Sequence, residues 1–408
     1  MEWPIIVGID VGTTKVCTLV ARLEADKRLR ILGVGIEPSH GMRKGVVVDL
    51  EKLSGAIARS IDKAERTAGM EITSGWVSVA GSHVSSLNNR GVVGIGGRVI
   101  QQHDINRALE AAAAVTLPHN REIVHIIQRG FTVDGQNGVR VPLGMHAYRL
   151  EVEAHIITAA AASLKNLRQC VSASGVDVTQ FVLNPLASGE VVLTETEREM
   201  GVIVCDIGGG TTDFAIYIEG DVWHTKVLSV GGDHITSDIA QGLRLPLAQA
   251  EEMKVKHGYA MRSEVGSEEH VTVRPFGETK SIQISRQELS FIIEARVEEI
   301  FDLVLKEIKR TGYDGLLPAG IVLTGGTSSL AGISALASEV MGLPARVACP
   351  EKLYGMTDRL YSPAYSTSVG LLNWALLMSE VTAPAVPSKR KGGIDWKGLL
   401  NFLERLLP

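Results

Sequence analysis

Two similar loops, one in each half of the chain, combine glycine, threonine and aspartate in nearly the same order. The first reads GIDVGTTK at 8–15 and the second reads DIGGGTTD at 206–213, and each lies between two short apolar runs. This pattern predicts strand, tight glycine turn, strand. Glycine lets backbone N–H groups face an anion, and threonine hydroxyls add further donors. The pair therefore predicts two related lobes that close on one phosphate-bearing ligand.

An aspartate occurs in each loop, Asp10 in the first and Asp206 in the second. A carboxylate repels phosphate, so we expect a hard cation to lie between these side chains and the ligand. Mg²⁺ retains much of its hydration shell in such sites, which predicts contact through water. Lys15 adds a point charge to the first loop. Asp213, at the end of the second loop, either binds the metal or pairs within the hairpin.

The composition sets the class of protein. A chain of 408 residues with 45% hydrophobic and 5% aromatic residues is typical of a soluble α/β protein with two or more subdomains. A net charge of -5 argues against nucleic acid as a partner. We expect neither a signal peptide nor a membrane-spanning segment. The cysteines are single, without the paired spacing of zinc and iron–sulfur motifs: Cys17, Cys170, Cys205 and Cys349. Three of them lie in apolar runs or periodic helices, which predicts buried free thiols.

Hydrophobic periodicity predicts alternating strands and helices. The predicted helices lie at 50–68, 104–114, 164–174, 230–243, 246–257 and 289–311. The core face of the longest is predicted to hold Ile292, Val297, Ile300, Val304 and Ile308. Strands at 122–128, 130–133 and 149–157 interrupt the pattern, so we interpret 84–161 as an inserted α+β subdomain. The order of elements at the start of the chain recurs after residue 198, which indicates a weak internal duplication.

Further motifs accompany the two loops. A third glycine-rich turn, at 324–330, follows an apolar strand and suits the base and ribose of a nucleotide. With these three loops the chain resembles the actin–Hsp70–sugar kinase superfamily. Within it the chain resembles the bacterial FtsA family over nearly its whole length, through GMRKGVV at 41–47, VAGSH at 79–83, VDGQ at 133–136 and VGGDH at 230–234.

The resemblance implies an α/β, two-lobed actin-like fold, with duplicated ribonuclease H-like lobes, an inserted α+β subdomain and a C-terminal amphipathic helix. ATP would bind between the lobes. The implied division is 1–83, 162–197 and about 363–381 for subdomain 1A, 84–161 for the inserted subdomain 1C, 198–242 and 311–362 for subdomain 2A, and 243–310 for subdomain 2B.

The resemblance also implies a function. The protein would polymerise into filaments on the cytoplasmic face of the cell membrane at the division septum. There it would tether the ring of the tubulin-like protein FtsZ, whose C-terminal peptide would contact 243–310, and it would also meet later division proteins. ATP would act mainly as a conformational ligand, with weak ATPase activity at most.

Individual residues receive roles from the same resemblance. Asp10 and Asp206 would bind Mg²⁺. The β- and γ-phosphates would contact both loops, through Gly12, Thr13, Thr14, Lys15, Gly208, Gly209, Gly210, Thr211 and Thr212. The adenosine moiety would contact Gly232, Glu251, Lys254, Gly325, Gly326 and Ser328. Spacing alone favours a solvated surface pair for Glu251 and Lys254, because residues three apart share one helix face.

Asn184 departs from the pattern of the related filament family MreB and of many FtsA-like chains, in which a glutamate at this place orients the attacking water. An amide does not accept a proton as a carboxylate does, which predicts slow turnover. The alternative is that Asn184 starts the turn at 184–189, before a helix that runs to about 194, and that another side chain positions water.

The C-terminal segment has two parts. Residues 382–393 have linker composition and include the basic cluster Lys389, Arg390 and Lys391. Residues 394–408 then predict an amphipathic helix, with Asp395 as its N-cap and Lys397, Asn401, Glu404 and Arg405 on its polar side. Its apolar side comprises Trp396, Leu399, Leu400, Phe402, Leu403, Leu406 and Leu407. We interpret it as a membrane-surface helix beside anionic lipid, with a partner-docking helix as the alternative.

Two alternative functions remain open. A PilM-like pilus-assembly adaptor shares the inserted subdomain but normally lacks such a tail. A sugar kinase needs a catalytic aspartate facing an acceptor pocket, and the sequence offers no separate candidate. His83, His125 and His234 have no partner at metal-ligand spacing, so we expect structural roles for them.

Overall fold

The computed structural model describes residues 4–25, 28–278 and 280–381, and it begins with the first predicted hairpin. The first elements are β1 (Ile5–Val11), β2 (Lys15–Leu23), β3 (Leu29–Pro38), β4 (Met42–Arg43), β5 (Val46–Val47), α1 (Leu50–Ala68) and β6 (Ser74–Val79). Helix α1 has the predicted bounds because local signals fix both ends. The Asp49 side chain accepts a hydrogen bond from the Lys52 amide, and Gly69 adopts a left-handed conformation with φ of 70°.

The predicted insertion is a separate sheet with a helix packed on it. Its elements are β7 (Ser85–Val99), α2 (Gln102–Ala113), β8 (Arg121–Val133), β9 (Gln136–Val139) and β10 (His146–Ala160), with sheet order β7-β10-β8-β9. The sequence predicted two strands at 122–128 and 130–133. They form one strand, β8, in which Arg129 is an extra residue, since Glu153 pairs with Gly130 and Ala154 with Gln128.

Residues 161–228 return to the first sheet and begin the second. They form α3 (Ala161–Ser172), β11 (Asp177–Leu183), α4 (Asn184–Val192), α5 (Glu195–Met200), β12 (Val202–Ile207), β13 (Thr212–Ile218) and β14 (Asp221–Leu228). The segment 184–189, which we expected to be a turn before a helix, is itself the start of α4. Pro185 favours this start because proline is well tolerated in the first helical turn.

The remaining elements complete the second lobe and return once to the first. They are α6 (Gly232–Gly242), α7 (Leu247–His257), β15 (His270–Val273), β16 (Ile282–Ser285), α8 (Arg286–Thr311), β17 (Ile321–Thr324), α9 (Ile333–Met341), β18 (Ala345–Val347), β19 (Tyr354–Gly355) and α10 (Ser366–Val381). In α8 the predicted core residue Ile292 is half-buried, and its neighbour Ile293 is fully buried instead.

The two main sheets share one local topology. The first has the order β11-β6-β1-β2-β3-β19 and the second has the order β14-β13-β12-β17-β18. In each, three antiparallel strands are followed by a parallel neighbour of the first of them, β6 beside β1 and β17 beside β12. The duplication inferred from the sequence is therefore present in the strand order. Strand β19 pairs with β3 although we assigned 311–362 to the second lobe, and the division into subdomains stays a prediction.

Helices α4 and α10 pack together where the two lobes meet. A Cβ atom on Gly370 would lie 1.9 Å from the Ala187 carbonyl oxygen, so the two backbones are in direct contact. Leu186 and Leu371 join the same buried cluster as Val204 and Val322 of the second sheet. The four cysteines are free thiols, as predicted, and three of them are fully buried.

The predicted linker 382–393 and amphipathic helix 394–408 lie outside the described residues. Within the part of the chain that is described, no helix has the length and apolar character needed to cross a membrane.

Candidate nucleotide-binding site

A cavity of about 260 Å³ lies in the cleft between the lobes, and the loops of both hairpins line it. The β1–β2 loop closes with a hydrogen bond from the Gly12 amide to the Lys15 carbonyl, and the β12–β13 loop closes with the equivalent bond from Gly208 to Thr211, both 2.9 Å long. The two glycine-threonine loops are thus equivalent in structure as well as in sequence, and they face each other.

The tips of the two loops are in contact across the cleft. A Cβ atom on Gly209 would lie 2.2 Å from Thr14 Oγ1, and one on Gly210 would lie 2.5 Å from Thr13 Oγ1. Both distances are far below van der Waals contact, so a larger residue would displace either the threonine side chains or the loops. Glycine at these positions allows the lobes to approach each other.

Most of the predicted site residues are brought together in this cavity. It is lined by Asp10, Gly12, Thr13, Thr14, Lys15, Asn184, Asp206, Gly208, Gly209, Gly210, Thr211, Asp213, Gly232, Glu251, Lys254, Gly325 and Gly326. Two predicted residues do not line it. The Thr212 hydroxyl donates to the Val230 carbonyl and the Ser328 hydroxyl donates to the Thr324 carbonyl, so both side chains brace the loops from behind.

Sequence reasoning missed Asp233, Thr327 and Thr367, which also line the cavity. Thr327 donates to the Gly208 carbonyl at 3.0 Å and so connects the third glycine-rich turn to the second phosphate loop. Its position two residues after Gly325 was a usable signal. Thr367 comes from α10, and no motif in the sequence relates that helix to the loops.

The two aspartates are buried and held by hydroxyl groups. Asp10 accepts hydrogen bonds from Ser78 at 2.9 Å and from Ser368 at 2.7 Å, and Asp206 accepts one from Thr367 at 2.6 Å. Burial, together with the nearby charge of Asp10, raises the pKa of Asp206 to about 6. The site therefore concentrates negative charge that a cation would relieve.

Asp213 adds a third carboxyl group. It lies opposite Asp206 in the β12–β13 register, and it accepts a hydrogen bond from Thr211 at 2.9 Å. Burial and the charge of Asp206 raise the pKa of Asp213 well above its ordinary value. Its Oδ1 atom is buried and has no hydrogen-bond partner among the described residues. Pairing within the hairpin therefore occupies one oxygen and leaves the other for water or an ion.

The structure tests whether these carboxyl groups could ligate a metal directly. Among residues 4–25, 28–278 and 280–381, no three His, Cys, Asp or Glu side chains are grouped closely enough to hold an ion. Asp213 and Asn184 line the same cavity, and each has a buried Oδ1 atom for which the described residues offer no hydrogen-bond partner. This arrangement fits a hydrated Mg²⁺, whose water molecules donate hydrogen bonds to surrounding oxygens.

Asn184 is the first residue of α4 and lines the cavity. The preceding residue is anchored, because the Leu183 amide donates to His125 Nε2 at 3.1 Å. His125 therefore has a structural role, as expected. His234 is likewise structural, since its Nδ1 accepts from the Gly231 amide at 3.2 Å. For His83, burial lowers the pKa to about 4, which keeps the ring neutral.

Glu251 and Lys254 form an ion pair in which the lysine side chain is largely buried. Lys254 Nζ lies 2.7 Å from Glu251 Oε2 and donates to the Gly232 carbonyl at 3.1 Å and to Thr236 Oγ1 at 2.8 Å. Its side chain is 12% exposed. The pair ties α7 to the first turn of α6 at the edge of the cavity, where Glu251 remains accessible to a ligand.

Lys15 contacts an aromatic ring from the other end of the chain. Its Nζ atom lies 5.0 Å from the centroid of the Tyr365 ring, within the range of a cation–π contact. The ammonium group also lowers the pKa of Asp206, which opposes the effect of burial. Lys15 therefore already stands near the carboxylates, and a phosphate group would compete with the ring for it.

Comparison with known families gives two matches. The family described as "Cell division protein FtsA" matches residues 203–370, and the family described as "SHS2 domain inserted in FTSA" matches residues 81–158. The second match coincides with the four-stranded sheet and α2, which the sequence predicted as an insertion.

Three similar curated proteins share the description "Cell division protein FtsA". The protein from Pseudomonas aeruginosa is 44% identical over 371 residues, covering 91% of this chain and 89% of its own length. The protein from Neisseria meningitidis serogroup B is 40% identical and covers 97% of this chain and 96% of its own length. The Escherichia coli K12 protein is 38% identical, with coverage of 91% and 90%.

Solved structures with the same fold are more distant in sequence. A PilM–PilN type IV pilus biogenesis complex contains a chain with a TM-score of 0.64 and 15% identity, covering 91% of this chain and 98% of its own. MreB 5 of Spiroplasma citri bound to AMPPNP gives a TM-score of 0.59 at 15% identity, with coverage of 93% and 98%. These similarities establish the actin-like fold.

Proposed function

The chain belongs to the FtsA family of bacterial cell division proteins, and from this premise we propose that it is an ATP-binding actin-like protein that polymerises on the cytoplasmic membrane and tethers the FtsZ division ring. It is peripheral to the cytoplasmic face of the membrane at the septum. ATP orders the two lobes for filament formation, and later division proteins join the assembly.

The observation that carries the nucleotide assignment is the position of two hairpin loops on opposite walls of one cleft. Residues of both loops line the same cavity, Gly12 and Thr13 from the first and Gly208 and Thr211 from the second, and the loop tips touch at Gly209 and Thr14. A triphosphate between them would receive hydrogen bonds from both lobes. Binding would then fix the angle between the lobes, which is what a filament subunit needs.

Mg²⁺ fits the site as a hydrated ion. Asp10 and Asp206 would hold it through its water molecules, and Asp213 Oδ1 would accept from one of them. When bound, the cation neutralises charge on the β- and γ-phosphates. Hydroxyl donors keep both aspartates oriented toward the cavity before the ligand arrives.

Nucleotide binding rather than hydrolysis is the principal event in this proposal. Asn184 stands at the start of α4 and lines the cavity, and its amide does not act as a general base. Asn184→Glu should raise the rate of phosphate release. Asn184→Gln should not, because glutamine has the same length as glutamate but is still an amide. Equal rates in the two variants would contradict this role for position 184.

Membrane attachment is proposed for residues 394–408, from their amphipathic pattern and the neighbouring cluster Lys389, Arg390 and Lys391. A short helix need not bind tightly alone, because a filament presents many copies. The test is co-flotation with anionic vesicles in ATP and Mg²⁺. The intact chain is compared with a chain ending at Ala383, with Trp396→Glu on the apolar side, and with Asn401→Glu on the polar side as the matched control.

The intact chain and Asn401→Glu should float, and the other two should not. If all four float equally, another surface binds lipid. If none floats, the tail docks a protein and the tether proposal fails.

The FtsZ peptide is proposed to contact 243–310, which holds α7, β15, β16 and α8. This region exposes two phenylalanines, Phe276 at 69% and Phe291 at 55%, and the Arg262 guanidinium lies 5.5 Å from the Phe291 ring centroid. Exposed aromatic groups beside a cation are typical of peptide-binding surfaces. Fluorescence anisotropy with a labelled FtsZ C-terminal peptide should give weaker binding for Phe291→Ala than for Met200→Ala, an exposed apolar control outside the region.

Fewer observations support the two alternative functions, the PilM-like adaptor and the sugar kinase. Likeness to PilM is 15% in identity and concerns the fold, whereas identity to FtsA relatives reaches 44% over 91% of the chain. Preferential binding of a pilus-assembly peptide over the FtsZ peptide would favour the adaptor. Phosphate transfer to a sugar would favour the kinase.

A further inference from the structure

The first turn of α10 carries three consecutive hydroxyl residues, Ser366, Thr367 and Ser368, all of them buried. Each hydroxyl contacts a different strand end. Ser366 Oγ lies 2.6 Å from Thr324 Oγ1, Thr367 donates to Asp206 at 2.6 Å, and Ser368 donates to Asp10 at 2.7 Å. The turn therefore reaches three strands that belong to two different sheets.

Two of these contacts involve the carboxyl groups of the proposed metal site. Asp10 lies on β1 of the first sheet and Asp206 on β12 of the second, so Thr367 and Ser368 hold one aspartate from each lobe. Adjacent residues of one helical turn have a fixed separation. The two carboxylates are therefore set relative to each other by a single rigid element rather than by the lobes separately.

The remaining contacts limit how the carboxylates can turn. The second oxygen of Asp10 accepts from Ser78, whose Oγ in turn accepts from the Val11 amide at 2.8 Å. The Oδ1 atom of Asp206 is close to Gly325, where a Cβ atom would lie 2.3 Å from it. With these sides closed, the α10 hydroxyls decide which carboxylate lone pairs face the cavity.

We propose that Thr367 and Ser368 are positioning residues of the metal site, which fix Asp206 and Asp10 in the orientation that receives hydrated Mg²⁺ together with ATP. This inference rests on the proposed nucleotide function. Outer partners that orient metal-binding groups typically change metal affinity about 10- to 100-fold when they are removed. A hydroxyl that served the fold alone would change stability and leave the Mg²⁺ requirement as it was.

The N-terminal end of α10 supports the same arrangement. The helix is anchored independently of the aspartates, because Gly370 packs against the Ala187 backbone and Leu371 lies in the interlobe core. It can therefore act as a fixed frame for both groups.

The test measures binding of a fluorescent ATP analogue to the full chain over a range of Mg²⁺ concentrations. Thr367→Val and Ser368→Ala should each raise the Mg²⁺ concentration for half-maximal binding by about 10-fold or more. Affinity for the analogue in EDTA should change little. Thr367→Ser, which keeps the hydroxyl, should restore the wild-type midpoint, and Ser366→Ala, whose partner is Thr324 rather than a carboxylate, should retain it.

The outcomes separate this inference from the proposed function. If the wild-type chain shows no Mg²⁺-dependent binding, the nucleotide proposal fails and this inference fails with it. If the wild-type chain binds normally and the variants keep its Mg²⁺ midpoint, the positioning role alone is refuted. Should Thr367→Val not fold, Ser368→Ala carries the same decision, and a midpoint equal to that of Ser366→Ala overturns the inference.

Discussion

Replacing Asp206 by asparagine should stabilise the ligand-free protein at neutral pH, although it removes a proposed metal-binding group. Burial and the charge of Asp10 raise the pKa of Asp206 from 3.8 to about 6. Above pH 6 the group is ionised in both the folded and the unfolded chain, and the folded state bears the cost of the buried charge. That shift corresponds to roughly 3 kcal/mol at pH 7.5 and about 1 kcal/mol at pH 4.5.

The sign follows from proton binding. Between pH 3.8 and 6 the folded chain binds the Asp206 proton more tightly than the unfolded chain, so this group makes the protein less stable as the pH rises. Asparagine has no such dependence and keeps an oxygen for the Thr367 hydroxyl. It also removes the neighbouring charge that raises the pKa of Asp213, which acts in the same direction.

Urea titrations of ligand-free wild type and Asp206→Asn at pH 7.5 and 4.5 measure this difference. Subtraction at each pH cancels the titration of groups that do not interact with Asp206, and Asp177→Asn, at an exposed aspartate, serves as the control. We expect the variant to gain roughly 2 kcal/mol more at pH 7.5 than at pH 4.5. The same variant should lose Mg²⁺-dependent stabilisation by ATP. An equal difference at the two pH values would refute the buried-charge argument.

Three further predictions follow from other contacts. Gly209→Ala should weaken ATP binding, because its Cβ would lie 2.2 Å from Thr14 Oγ1 across the cleft, whereas Gly94→Ala, in open space, should bind ATP normally in the same calorimetric titration. Gly35→Ala should lower the free energy of unfolding in urea by about 1–3 kcal/mol or more, because its Cβ would lie 1.8 Å from the Ser60 carbonyl. Gly55→Ala, within α1, should raise it by up to about 1 kcal/mol. Similar urea midpoints for the two variants would contradict the packing of α1 on β3. Burial and the neighbouring His224 lower the pKa of His155 from 6.5 to about 3, so acid should favour the unfolded chain, which binds the proton. Between pH 7 and 5 the free energy of unfolding should therefore fall by roughly 2 kcal/mol more in the wild type than in His155→Gln. Equal losses in the two proteins would exclude His155 as the cause.

The sequence predicted what local signals determine. Helix α1 agrees with its predicted bounds because Asp49 and Gly69 are adjacent to its ends, and both hairpin loops agree because glycine sets their turns. Strand β7 was missed because its many glycines give little strand signal, although it pairs with β10 along 85–94 and again at 98–99. The bulge at Arg129 depends on its partner strand and has no local signature.

The site divides in the same way. The loops that line the cavity were found from their own residues, but the side-chain directions of Thr212 and Ser328 were not. The Thr212 hydroxyl is set by the Val230 carbonyl on a neighbouring segment, and the Ser328 hydroxyl is set by the Thr324 carbonyl four residues earlier. Thr367 and Ser368 are separated from Asp206 and Asp10 by 161 and 358 residues. These long-range hydrogen bonds follow from the packing of α10 between the lobes, and no sequence pattern within α10 predicts them.

The proposed nucleotide site requires the two hairpins to act as one clamp. Hydrogen exchange with mass spectrometry, on the full chain with and without ATP and Mg²⁺, tests it directly. We predict slower exchange of backbone amides in both 11–15 and 207–213, since the ligand would accept hydrogen bonds from each lobe. Protection of one loop without the other, or of neither, would contradict a shared nucleotide site.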